Sequence, residues 1–440
     1  MDVASVPPSR TAEFVRQTLL VALIMIGCTL SMRAEFFVVA SAALTIGFIA
    51  TSSGDALWRA WRSIDRSTLV GCVTMASLWA YGLTLGLWEG YPRSHVLRNF
   101  FGLAFFLPSL FAASVVVGRA GISRIAVRTG LSALILLVVL RVGSIIGFVP
   151  IELFKFLGVP VGLADFGLRV YSFGAFPIFG WQAMVSVALY QALGEGAFPK
   201  AALLAGQVLL IVAATMFVTE SKGILLGAIA VLAVPLVLQF RPATHARYAL
   251  AAAAIVVLQT QVIMPGTTYV AINWLGLKPS EIMAELVDKA RLSAAKGGDQ
   301  MVDDDSSNPV ETIFGAQSLG NAERYAQAQE LLDDVVPFGH GLGAPITSGY
   351  SRSVTYPYGF ELSFLNVIHK FGVFSLFYFA FLLYSGYRIL TSQKPILERS
   401  AALGLLGYTF PAIGNPVLFA VQAVFIHMLA LHGATRRRPA

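Results

Sequence analysis

A carboxylate at the start of a long apolar run is the first pattern in this chain that could do chemistry. Glu361 stands in Tyr356-Pro357-Tyr358-Gly359-Phe360-Glu361-Leu362-Ser363-Phe364-Leu365-Asn366. At a membrane surface such a group can take a proton from a substrate hydroxyl as a general base. It can equally be the acid that complements a helix N-terminus. On a continuous helix eleven steps return to within about 20°, so Glu361 and Gly372 share a face, and Lys370 points nearly the opposite way. Two cations could serve a phosphate. Lys222, in Thr219-Glu220-Ser221-Lys222-Gly223, sits where two apolar runs almost touch. Beside a helix N-terminus, with Ser221 and backbone amides, it makes a phosphate-binding corner; alternatively it is an interfacial lysine whose head reaches for water. Arg324 lies early in a polar helix leading into Phe338-Gly339-His340-Gly341-Leu342-Gly343. Alternating glycines let backbone approach a ligand or a second helix closely. No strand or Walker lysine accompanies them, which argues against nucleotide binding. His340 is either an acid catalyst or a turn residue.

No metal or other cofactor is expected. No DxD motif or His/Cys cluster argues for a metal, since Asp303-Asp304-Asp305 reads as part of a flexible connector. Cys28 and Cys72 fall singly inside apolar runs, where a thiol behaves as a small hydrophobe.

The elements that must position these residues follow from composition. Of 440 residues, 56% are hydrophobic and 12% charged, against about 25% charged in soluble proteins. Mean hydropathy is +0.72. A soluble enzyme, a disordered chain and a barrel of short alternating strands are excluded. A helix needs about 20 apolar residues to cross the hydrocarbon core. Candidate runs are 15–31, 35–52, 67–87, 99–118, 129–148, 173–194, 201–219, 223–240, 248–264, 361–386, 400–413 and 416–433. The first reads as a retained span, because it is too long for a signal h-region and leads directly into a second run. The last two, split around Gly414-Asn415-Pro416, are alternatively a re-entrant pair. The expectation is an all-α transmembrane bundle of about 12 spans. Residues 1–264 hold spans 1–9, 265–360 form a large helical loop, and 361–440 hold spans 10–12 and a basic tail.

With both termini inside, 17 of the 31 lysines and arginines fall in cytoplasmic segments and six in the short outer loops. This is a strong positive-inside asymmetry. It accounts for the net charge of +7 as topology and excludes a nucleic-acid patch. The loop 265–360 then lies outside, in the periplasm of a Gram-negative cell. Its acids, Asp333 and Asp334 among them, read mostly as a solvated face. Residues 279–296 read as an amphipathic helix, 297–308 as a connector, and 321–335 as a second helix with an Asn cap, ended by Pro337 and Gly339.

The order of these segments is more specific than any one of them. A TxSxG corner, an outer loop with an arginine-bearing helix, a GxGxG-like turn, and a span with a polar first residue and a glycine eleven positions on follow one another. The order resembles the O-antigen ligase and Wzy-type polysaccharide polymerase superfamily, membrane glycosyltransferases of the GT-C kind, over about residues 165–385. The family's SRG corner is matched by Ser221-Lys222-Gly223, and its loop arginine by Arg324 ahead of Gly339, Gly341 and Gly343. The ligase pattern HNxYLxxLxxxG lines up with Glu361-Leu362-Ser363-Phe364-Leu365 through Gly372, with Glu361 in place of the essential histidine. Arg169, in Gly167-Leu168-Arg169-Val170-Tyr171, is similar to an outer-loop arginine before the sixth span.

The resemblance implies an inner-membrane polymerase of exopolysaccharide or O-antigen repeat units. Donor and acceptor are undecaprenyl-pyrophosphate-linked oligosaccharides, and transfer is metal-independent and inverting. Glu361 is the implied base; Arg324, Lys222, Arg169 and His340 are implied substrate contacts. A chain-length regulator or export complex is a candidate partner beside membrane lipids. Lysine for arginine loses bidentate phosphate recognition, and glutamate for histidine changes the pH at which the base is free. Both departures favour the polymerase over its nearest rival, a ligase that hands glycan to lipid A-core. A transporter or flippase predicts charges at mid-span and inverted repeats; only Arg141 fits it.

Overall fold

The computed structural model describes residues 10–25, 64–97, 121–146, 161–163, 168–170, 175–219, 222–263, 325–350, 362–413 and 421–435, with Phe360 and a few isolated positions. Their regular secondary structure is helical apart from one short hairpin, and 334–350 form an irregular turn segment. The helices are α1 (Arg10–Ile24), α2 (Arg66–Trp88), α3 (Ile122–Ile145), α4 (Ala175–Gly194), α5 (Phe198–Thr219), α6 (Lys222–Leu232), α7 (Val234–Leu238) and α8 (Pro242–Val257). The last continues as a π-helical stretch, Leu258–Ile263. A helix over 325–333, here α9, precedes α10 (Ser363–Phe371), α11 (Ser375–Leu390), α12 (Ile396–Leu406) and α13 (Val421–Thr435). Five helical stretches among the described residues are long and apolar enough to cross a membrane: Thr68–Trp88, Ile122–Gly143, Phe198–Thr219, Pro242–Ile263 and Ser363–Leu390, the last taking in both α10 and α11.

Helix α4 is apolar on every side and is enclosed by α3, α5, α6, α8 and α12, the position such a helix must take. Small residues set its crossing with α12. A Cβ on Gly404 would meet Ala183 Cβ at 2.6 Å and Gly180 Cα at 2.9 Å. Close approach through small residues is how helices associate without a hydrophobic drive between them. Two polar groups inside this bundle are met by main-chain carbonyls: Gln182 Nε2 donates to Ala228 O at 2.8 Å, and Tyr248 OH to Leu232 O at 2.8 Å. Leu232 O lies where the 223–240 run breaks into α6 and α7, because Pro235 cannot continue the ladder.

Three other runs differ from the sequence expectation. The 129–148 run starts earlier, as α3 at Ile122. Ser123 N donates to Glu398 of α12 at 3.1 Å, capping the helix start, and Arg128 is accommodated by donating to Gln17 of α1. The 400–413 run forms α12 and then 3-10 turns at Gly407–Thr409 and Pro411–Ile413. Part of the segment before α4, expected to be an outer loop of an all-α chain, is a hairpin, Val161–Leu163 (β1) antiparallel to Leu168–Val170 (β2). The runs 35–52 and 99–118, the helix 279–296 and the connector 297–308 lie outside the described residues.

Candidate functional site

The expected tenth span is not one helix. Helix α10 ends at Gly372, whose φ of 54° and ψ of −132° are closed to side-chain-bearing residues, and a 3-10 turn Gly372–Phe374 leads into α11. The shared face drawn between Glu361 and Gly372 therefore fails: Gly372 is the break, not a mid-helix position. Breaking a helix at membrane depth leaves carbonyls that only protein can satisfy. Here the glycine-rich turn does so. His340 N donates to His369 O at 2.9 Å and Gly341 N to Lys370 O at 2.9 Å, while Val373 N donates to Pro337 O at 2.8 Å.

The same turn is held against α2 on its other side. Leu342 N donates to Gly82 O at 2.8 Å, and Tyr81 OH to Phe338 O at 2.7 Å. Gly341, at φ +82°, lies against Gly86 N, so a side chain there would meet backbone. Gly82 and Gly86, one turn apart on α2, make the groove into which the turn fits. The segment after α2 closes the end of this junction, with Val96 N against Gly343. Tyr91 is beside it: burial, then the charges of Glu89 and Asp334, push its phenol upward.

Charged and titratable side chains gather at this junction. His369 Nε2 donates to Asp334 Oδ2 at 2.9 Å, and Thr347 N donates to the same oxygen at 2.9 Å. His340 Nε2 donates to the main-chain oxygen of Asp334 at 2.7 Å, capping the end of α9, and its ring stacks on His369 at 4.6 Å. Lys370, 1% exposed, donates to Ala344 O and lies 4.8 Å from the centre of the Phe360 ring, a cation–π contact. Burial alone would raise the Asp334 carboxyl; hydrogen bonds from Thr347 and His369 and the nearby His340 outweigh it and hold the group below its ordinary value. Asp334 is thus a partly buried, hydrogen-bonded anchor and not simply part of a solvated face. Helix α9 is fixed further by Leu331, which packs with Ile346 and Phe360, and by Ser348 Oγ donating to Glu330 at 2.6 Å.

Of the residues singled out in the sequence, His340 is at this junction as a turn residue and helix cap. Lys222 is the first residue of α6. Arg169 is the centre of β2, opposite Gly162, on a strand that packs against α3 and α5. Arg324 and Glu361 lie outside the described residues. Their neighbours are described: Tyr325 begins the described part of α9, and Phe360 and Leu362 flank Glu361. The ring of Phe360 packs edge-on against His369 at 5.3 Å, and Leu362 packs against the Leu331 cluster. Asp334, His369 and Lys370 were missed as a group. A histidine and a lysine in succession within an apolar run were the available signal, since ionisable residues there are costly without partners. No known protein family, curated protein or solved structure matches the chain.

Proposed function

We propose that this chain is a bacterial inner-membrane polymerase of lipid-linked polysaccharide repeat units, of exopolysaccharide or O-antigen type. The observation that carries the reading is the junction of α9, the glycine turn and the broken α10–α11 helix. It holds α9, whose described part begins at Tyr325 next to Arg324, against Phe360 and Leu362, which flank Glu361 in sequence. The acceptor hydroxyl of one lipid-linked repeat attacks the anomeric carbon of the glycan on undecaprenyl pyrophosphate. Its proton passes to Glu361, the carbon–oxygen bond to pyrophosphate breaks, and the anomeric centre inverts. Arg324 and Lys222 neutralise the departing pyrophosphate, which needs charge compensation more than protonation, and Arg169 adds a contact to the lipid-linked glycan. His340 serves as a positioning residue through the turn. The termini are cytoplasmic and residues 265–360 periplasmic, on the side where the segment after α2 also emerges.

The test is the product left in cells that lack the protein. Single lipid-linked repeat units support the polymerase. Accumulation of finished, lipid-linked polymer identifies a ligase instead, and unchanged polysaccharide removes the proposal. Arg324→Ala at normal protein level is expected to give the same single units.

A further inference from the structure

The side chains of Asp334, His340 and His369 come from three different segments, the end of α9, the glycine turn and α10. Yet one ligand atom from each lies within 4.8 Å of the other two. His369 Nε2 is 2.9 Å from Asp334 Oδ2, and His340 Nε2 is 3.7 Å from Asp334 Oδ1. We propose that these three residues bind a zinc-like divalent transition-metal ion, which clamps the loop segment 325–350 to the broken membrane helix.

Donor chemistry and geometry support this. Two imidazoles and a carboxylate are a common zinc donor set, with metal–ligand distances of about 2.0–2.2 Å. Ligand atoms around such an ion are then roughly 3.3 Å apart in a tetrahedron. The two separations from Asp334 bracket that value and the third is no more than 4.8 Å, so binding draws the two imidazoles together by side-chain rotation. Nitrogen donors select against magnesium and calcium, which take oxygen ligands. Access is also suitable: His369 is wholly buried, while Asp334 and His340 are 13% and 16% exposed and leave one side open to water as a fourth ligand. For each ring to coordinate through Nε2 its proton must sit on Nδ1. The shift gives up the Nε2 hydrogen bonds of both rings to Asp334, which coordination replaces, while at Nδ1 of His369, which has no partner among the described residues, no existing bond is lost. Among the described residues the nearby opposing charge is the ammonium of Lys370, which is directed to Ala344 O and the Phe360 ring. The proposed ion holds the loop and takes no part in glycan transfer, so it stands or falls apart from the polymerase reading.

The test uses the full-length chain, purified in detergent and freed of metal with a chelator. Titration with Zn²⁺ is expected to show about one tight equivalent per chain, and Co²⁺ the visible absorption of a low-coordinate nitrogen–oxygen site. Excess Mg²⁺ should not compete. Zn²⁺ should also slow proteolysis within 325–350. His340→Ala should weaken binding beyond the ~10–100-fold that loss of an outer hydrogen-bond partner costs, and should abolish the protection. His340→Cys, which restores a ligand, should recover both and shows that the alanine loss is not misfolding. His245→Ala, at a different histidine, should bind as wild type. Absence of a tight equivalent overturns the proposal, as does equal uptake by His340→Ala.

Discussion

Glycines hold two regions of this molecule together, and they do so by opposite means. At the α4–α12 crossing, Gly180 and Gly404 lie inside regular helices and save space, so that two complete hydrogen-bond ladders pack through apolar contact. At the junction, Gly339, Gly341, Gly343 and Gly372 all have positive φ, and the backbone they shape supplies donors to carbonyls that a broken helix leaves open. The first arrangement needs nothing polar from its side chains. The second concentrates main-chain and side-chain polarity at one place, and there Asp334, His340, His369 and Lys370 gather. A helix break inside a bundle is costly unless another segment completes it. A loop that completes it is thereby fixed to the bundle, which is what a site at the membrane surface requires.

Substitutions can separate the two regions. The largest effect is expected from Gly341→Ala, which pays about 1–2 kcal/mol for left-handed backbone and also meets Gly86 N. It should open 325–350 to protease while leaving the bundle's thermal transition close to wild type. Gly404→Ala should do the reverse, lowering that transition with the junction still protected. If the two variants respond alike, the regions are one cooperative unit and the comparison fails.

His369→Phe comes next, since it removes the bond to Asp334, worth about 1.5–3 kcal/mol for a charged acceptor. Faster cleavage in 325–350 is the expected readout. The same pair predicts an acid limit. The folded Asp334 carboxyl is depressed, so its contribution is present above the ordinary carboxylate value of about 3.9 and is lost as pH falls through the lower folded value. Wild-type junction protection should therefore decline below about pH 4, and Asp334→Asn, weaker at neutral pH, should lack that carboxylate-dependent step. An identical pH profile for the two would remove Asp334 as the anchor.

Tyr81→Phe should cost only about 0.5–1.5 kcal/mol, the bond to Phe338 O. Gly206→Ala, on the open face of α5 with nothing within 4 Å of the new Cβ, should be neutral or gain about 0.5–1 kcal/mol. A marked loss there would mean that glycine matters in this chain for reasons other than the two described.

Hydropathy located much of the scaffold because length and apolar content alone define a spanning helix. The runs 67–87, 201–219 and 248–264 fall on α2, α5 and α8 with its π-helical end. It could not show that the tenth run breaks, since Gly372 in an apolar sequence is as common in a packed helix as at a turn. The start of α3 was hidden by Arg124 and Arg128, which read as loop charges until α1 and α12 are in place. At the junction, the alternation of Gly339, Gly341 and Gly343 was visible and correctly suggested close backbone approach. Asp334 and His369, 35 residues apart, carry no local pattern that pairs them. Their association is made by the turn between them.

The most direct measurement of the central claim is elongation of lipid-linked repeat units by the purified full-length chain in lipid. The wild type is expected to build polymer, and Glu361→Gln, with an unchanged melting transition, to be slower by ~10²–10⁴-fold. Elongation by Glu361→Gln at the wild-type rate would contradict the assigned base, and a wild-type chain that fails to elongate the repeat units would contradict the polymerase itself.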